Sequence, residues 1–124
     1  MTPDALQAWL DAYVDAWRRY DPAAIGALFT PDATYAYHPY DTGDDVVRGR
    51  DAIVANWLEE QDDPGSWEAE YRPGLIDGER ATVVGVTRYA DGKVFDNLFQ
   101  LRFSDGRCAE FVEWYMQRPQ PKAS

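Results

Sequence analysis

This 124-residue sequence holds one cysteine, one histidine and few positive charges. Cys108 alone excludes an internal disulfide and any cysteine-based zinc cluster. Twelve Lys and Arg against 22 Asp and Glu leave a net charge of −10 and an isoelectric point near 4.4. Phosphate backbones and anionic lipid surfaces repel such a chain, so no nucleic-acid or membrane partner is expected. No apolar run approaches the ~18–20 residues of a membrane span. No basic stretch followed by an apolar one opens the chain, so no export signal is expected and a cytoplasmic location is. Glycine motifs that cradle phosphates or dinucleotides are missing, as is a Ser or Cys nucleophile at motif spacing from a base; no cofactor is expected. His38, Asp41, Asp44 and Asp45 are metal-type side chains, but acids in a Gly-containing loop are ordinarily solvated, and no metal is expected.

Hydrophobic residues make up 45% of the chain and aromatics 15%, enough to fill a core and to exclude intrinsic disorder. At ~100–200 residues per domain, one domain is expected. We place it at residues 1–118, with 119–124 as a loose tail.

The first half reads as helices. Thr2 is placed to cap and Pro3 to open a helix whose Leu6, Trp9, Leu10, Tyr13, Val14 and Trp17 form one apolar stripe. Asp21-Pro22 repeats that start for a short second helix, which carries Ile25, Leu28 and Phe29 inward and stops at Thr30-Pro31. Ala33 to His38 reads as a strand ended by Pro39, Tyr40 to Arg50 as a loop, and Ile53, Val54, Trp57 and Leu58 as the apolar face of a third helix. The second half reads as strands over Trp67–Ile76, Glu79–Tyr89, Lys93–Phe103 and Arg107–Gln117. Asp-Gly pairs at 77–78, 91–92 and 105–106 separate them, each a strong hairpin signal. Helices first and an antiparallel meander second define an α+β domain.

One set of residues is coherent beyond this pattern. It comprises Tyr13 through Asp21, Ala27–Phe29, Asp32–Thr34, His38-Pro39, Gly49–Ile53 and Trp57, then Leu101–Phe103, Asp105–Arg107 and Glu113–Tyr115. Together they resemble the nuclear transport factor 2-like superfamily, in its SnoaL-like and ketosteroid-isomerase-like branch. The resemblance implies a cone-shaped barrel, with three N-terminal helices packed on a strongly curved, mostly antiparallel sheet around one deep apolar pocket. It also implies pairing of two copies, sheet against sheet.

Candidate site residues follow from parity and from that resemblance. Tyr13 lies on the inward helical stripe, eight residues before Asp21, where ketosteroid isomerases place an oxyanion-donating tyrosine. His38 precedes Pro39, close to where those enzymes carry the proton-transferring aspartate. An imidazole, with an ordinary pKa of ~6.5, suits that task near neutral pH. Their second oxyanion donor falls on Phe99, which argues against the same steroid chemistry. In the third strand run Phe95, Asn97, Phe99, Leu101 and Phe103 share a face. The last strand has two partly apolar faces: Cys108, Val112, Trp114 and Met116 on one, Ala109, Phe111, Glu113 and Tyr115 on the other. The resemblance turns the second set inward.

The expected catalytic set is thus His38, Tyr13 and Glu113, with His38 and the Tyr13 hydroxyl in one cavity and Glu113 orienting the imidazole. Trp17, Tyr35, Trp57, Asn97, Phe99, Phe111 and Tyr115 are expected as ligand-binding walls. The expected function is cofactor-free proton transfer, such as isomerisation or cyclisation, on a small apolar carbonyl or polyketide-like compound. A binding or scaffold domain without chemistry is the alternative. Val112, Trp114 and Met116 are expected to be covered by a second copy, giving a homodimer.

Overall fold

A computed structural model describes residues 1–120. Helix α1 (Pro3–Arg19) starts as its sequence dictates: the Thr2 hydroxyl accepts the Ala5 N–H at 3.1 Å, and Pro3 occupies the first helical position. Asp21 caps α2 (Pro22–Gly26) in the same way, accepting from Ala23 N–H at 3.2 Å. Strand β1 (Phe29–Ala36) begins four residues earlier than its β-branched and aromatic run suggests and ends two residues sooner. Leu28 and Phe29 therefore belong to the turn and strand rather than to the second helix, and Pro31 is tolerated inside β1. Within the expected loop lie a single turn of 3-10 helix at Gly43–Asp45 and a two-residue strand β2 (Val47–Arg48), which hydrogen-bonds to β1. Helix α3 (Arg50–Glu59) follows.

The four later strands fall where the Asp-Gly pairs place them: β3 (Trp67–Asp77), β4 (Arg80–Tyr89), β5 (Val94–Ser104) and β6 (Arg107–Gln117). The sheet order is β2-β1-β6-β5-β4-β3, antiparallel throughout except for the parallel β1·β6 pair. Three helices cover one face of this curved sheet, which forms an unclosed cone with β2 and β3 as its edges. No helix among the described residues is long and apolar enough to cross a membrane.

Two irregularities decide which side chains face the interior. Between β5 and β6 the register shifts, Arg102 pairing with Glu110 but Phe103 with Cys108, so that Ala109 is the extra residue of a bulge. The bulge turns Cys108 to the same inner side as Phe111. Cys108 is fully buried and does not join Val112, Trp114 and Met116 on the outer face, where simple alternation puts it. Opposite Tyr71, β4 carries Gly85. A Cβ there would overlap the Tyr71 ring and the Glu70 carbonyl oxygen, so the missing side chain is the space in which the Tyr71 ring lies.

The core under the helices is largely aromatic. Leu6, Leu10, Ile25, Phe29, Ile53, Phe99, Phe103 and Phe111 are essentially inaccessible. The Trp9 indole N–H reaches the Leu28 carbonyl at 3.0 Å, satisfying its one polar atom. At the end of the domain Gln117 pairs with Phe95, and the Arg118 guanidinium holds the Asp96 carboxylate at 2.8 Å through two nitrogens. Residues 118–120 have no regular structure, and the rest of the expected tail lies outside the described residues.

Candidate active site

At the open end of the cone the aromatic core gives way to a cavity of about 500 Å³, an ordinary size for a small-molecule site. Tyr13 and Tyr35 line its floor, and Phe111 supports them from the core beneath. The Phe111 ring stacks on Tyr35 at 4.2 Å and on Tyr13 at 5.6 Å, with interplanar angles of 5° and 9°. That packing brings the two tyrosine hydroxyls to 2.9 Å from one another. Two hydroxyls carry two protons, and their mutual hydrogen bond uses one. Among the described residues neither has a further partner, so the second proton is available to whatever occupies the cavity. Burial, reinforced by the charge of Glu113, pushes the Tyr13 hydroxyl well above the ordinary tyrosine range. Burial, and then Tyr13, do the same for Tyr35. Both stay protonated and serve as donors.

Glu113 faces the same space. The β5·β6 register pairs it with Phe99 and puts Asn97 diagonally across on the inner face. The Asn97 amide donates to Glu113 Oε1 at 3.4 Å, and the Asn97 carbonyl oxygen accepts from Thr87 at 2.9 Å. Since the Thr87 hydroxyl spends its proton on Asn97, the Tyr71 hydroxyl at 2.7 Å must donate to Thr87. The chain of donors runs Tyr71 to Thr87 to Asn97 to Glu113, every bond pointing at the carboxyl group. One long amide bond is thin compensation for removing a carboxylate from water. Burial accordingly pushes Glu113 up from the usual carboxylate value of 4.5 to about 7, against the opposing effect of Asn97.

The mouth is polar and acidic. The Tyr20 hydroxyl accepts from the Asp62 backbone N–H at 2.8 Å and from the Trp17 indole at 3.0 Å, while the same indole reaches the Asp62 carboxylate at 3.1 Å. Trp17 stacks on Trp67 at 3.5 Å, which fixes that wall. Tyr37, hydrogen-bonded to Asn56, and Glu60, Tyr89 and Phe95 complete the lining.

The expected site residues divide into three groups. Tyr13, Glu113, Trp17, Tyr35, Trp57, Asn97 and Tyr115 line the cavity together. Phe99 and Phe111 do not: at 0% and 1% exposure they lie beneath it in the core, packed against the Tyr13 ring. His38 also lies outside the lining. The turn after β1 carries it past the rim, where Asp41 rather than Glu113 holds its Nδ1, at 3.2 Å. Tyr71 and Thr87 were accessible from strand alternation around Gly85. Tyr20, Glu60 and Asp62 were not, since a left-handed helix end and a loop place them. Among the described residues no group of three or more His, Cys, Asp or Glu side chains is arranged to hold a metal ion.

Three helices packed on a curved, unclosed, mostly antiparallel sheet form the nuclear transport factor 2-like cone. Three solved structures have the same fold. One is a protein from Kribbella flavida provisionally named a ketosteroid isomerase, 20% identical, covering 98% of this chain and 85% of that one at a TM-score of 0.72. Another is a protein of this fold and unknown function from Mesorhizobium loti, 21% identical over 92% and 93% at 0.68. The third is an LEH-like epoxide hydrolase of M. tuberculosis, 15% identical over 88% and 80% at 0.65. At such identities the likeness is one of fold. No curated protein matches by sequence. The family model of the SnoaL-like domain matches residues 10–111, and the chain belongs to that family.

The raised carboxyl group makes stability pH-dependent. Glu113 binds its proton more tightly folded than unfolded, so the wild-type fold loses stability as pH rises from about 4.5 to about 7 and regains none above. Glu113→Gln removes this loss. In thermal melts the variant should exceed wild type on the alkaline side by on the order of 3 kcal/mol, with the difference vanishing in acid.

Proposed function

We propose that this protein is a cofactor-independent acid/base catalyst acting on a small, largely apolar carbonyl compound, with isomerisation or cyclisation as the reaction class. The observation that carries this reading is the placement of Glu113 and the Tyr13–Tyr35 hydroxyl pair in one aromatic cavity. A carboxyl group titrating at about 7 is half ionised at neutral pH, where a general base works best. The Glu113 carboxylate takes a proton from the carbon beside the carbonyl. The electron pair of that C–H bond moves to the carbonyl oxygen, which receives the spare tyrosine hydrogen bond as it becomes an enolate. Where a carbon–carbon double bond adjoins that carbon, Glu113 returns the proton to the far end of the dienolate, completing an isomerisation; otherwise the enolate carbon attacks a second carbonyl and Glu113 gives its proton to the alkoxide that forms, completing a cyclisation. Names of two solved relatives of this fold, an isomerase and an epoxide hydrolase, are consistent with proton-transfer chemistry in such a cone. This reading moves the base from His38 to Glu113, because Glu113 shares the cavity with the donors.

The test needs no natural substrate. With β-tetralone in heavy water, proton NMR should show catalysed isotope exchange next to the carbonyl, rising with pH through a midpoint of about 7. Glu113→Gln should abolish it. Tyr13→Phe or Tyr35→Phe should lower it by ~10²–10³, the usual loss for one oxyanion donor. Exchange that survives in Glu113→Gln contradicts the assignment; exchange absent in wild type leaves a ligand-binding domain.

We also propose a homodimer through the outer sheet face. Leu98 and Val112 flank Trp114 and Met116, which are 43% and 72% exposed. A second copy of this chain, presenting the same apolar strip, fits that face. Light scattering should give the mass of a dimer for wild type and of a monomer for Trp114→Glu; a monomeric wild type at micromolar concentration overturns the proposal.

A further inference from the structure

His38 stands outside the cavity, yet both its ring nitrogens are engaged, one of them by a residue that lines it. Beyond Pro39 the chain turns back, and the Asp41 N–H donates to the His38 carbonyl at 3.2 Å. In return Asp41 Oδ2 accepts the His38 backbone N–H at 3.2 Å and lies 3.2 Å from Nδ1. The Asp41 side chain is only 10% exposed, so it is held in place rather than sampling solvent. An ionised carboxylate only accepts hydrogen bonds; in the neutral ring Nδ1 therefore carries the hydrogen and Nε2 is bare. Nε2 sits 2.9 Å from the Tyr115 hydroxyl, which must then be the donor. The imidazole also stacks on the exposed Tyr40 ring at 4.9 Å and 14°. The titratable groups facing this pair are Asp41 and Tyr40 from the turn, and Glu113 two residues before Tyr115 on β6.

The geometry points to a second proton-transfer arm of the cavity, running from Tyr115 through His38 to Asp41, that acts on a hydroxyl group of the bound molecule. Tyr115 lines the cavity and touches the occupant; His38 and Asp41 act through it as positioning residues. The occupant's O–H proton passes to Tyr115 Oη as the phenol proton passes to His38 Nε2. The occupant is left as an alkoxide, and the imidazolium charge forms opposite the Asp41 carboxylate. The reverse transfer restores both. With the ring protonated, Nε2–H donates to Tyr115 and the phenol hydrogen turns into the cavity, so the arm changes from acceptor to donor. About a third of the His38 side chain is exposed (34%), which lets it exchange its proton with water. The inference rests on the cavity of the preceding proposal and narrows its substrate to a carbonyl compound that also carries a hydroxyl. The transfer itself does not pass through Glu113.

His38 is the sole histidine, so its ring-nitrogen NMR signals are unambiguous. In the neutral ring of the free protein Nδ1 should be protonated and Nε2 bare. β-Naphthol, which brings a hydroxyl, should move the Nε2 signal toward its protonated position, whereas naphthalene should not. Tyr115→Phe should abolish that response while both probes still bind by fluorescence, and Asp41→Asn should give a mixture of tautomers. A ring found protonated at Nε2, β-naphthol that fails to bind or binds without moving the signal, or a response that survives in Tyr115→Phe overturns the inference. A normal response alongside absent β-tetralone exchange leaves this arm standing and removes the Glu113 reading.

Discussion

A carboxyl group taken out of water with one amide for company is the constraint around which this cavity is built. Glu113 has Asn97 as its hydrogen-bond partner among the described residues, at 3.4 Å. Asn97 can offer that amide only because its carbonyl is satisfied by Thr87, and Thr87 can donate only because Tyr71 donates to it. Gly85 leaves the room for the Tyr71 ring. A disturbance anywhere along that line leaves a buried polar group unpaired, which costs about 1–3 kcal/mol. The network holds the carboxyl in place without neutralising it, so burial sets its proton affinity. This differs from a surface acid of the same chain such as Asp96, which the Arg118 guanidinium holds below its usual range.

The tyrosine pair depends on a second constraint, aromatic packing. Phe111 stacks on both rings and so sets the distance between hydroxyls that come from a helix and a strand distant in sequence. The fold class does not supply this chemistry, since the same cone hosts many activities. It supplies a rigid wall on which three side chains from α1, β1 and β6 converge. The donor pair and the carboxyl group thereby face one cavity from different elements.

Much of this was legible in the sequence because the signals were local. The Thr2-Pro3 start, the stripe through Tyr13 and Trp17, and three Asp-Gly hairpins place the helices, the meander and the inward face of β5 without reference to anything distant. The inner position of Glu113 was readable only through resemblance, because both faces of β6 carry apolar residues. Cys108 was misplaced since simple alternation does not anticipate a bulge at Ala109. His38 was placed in the cavity on the strength of its neighbour Pro39. Whether a strand-end side chain points in or past the rim depends on the turn that follows, here closed by Asp41. Phe99 and Phe111 share a face with true lining residues, and alternation gives the side of a sheet but not the depth along the cone. Tyr20, Glu60 and Asp62 reach the mouth through a left-handed helix end and a loop, neither of which has a periodic signature.

The central claim is that burial leaves Glu113 poised near neutrality. Carboxyl-carbon NMR on protein labelled at glutamate, with Glu113→Gln to assign the signal, measures it directly. Glu113 should titrate at about 7, and Asn97→Ala, which removes its side-chain donor among the described residues, should move that midpoint higher still. A Glu113 midpoint at the ordinary carboxylate value near 4.5 would contradict it.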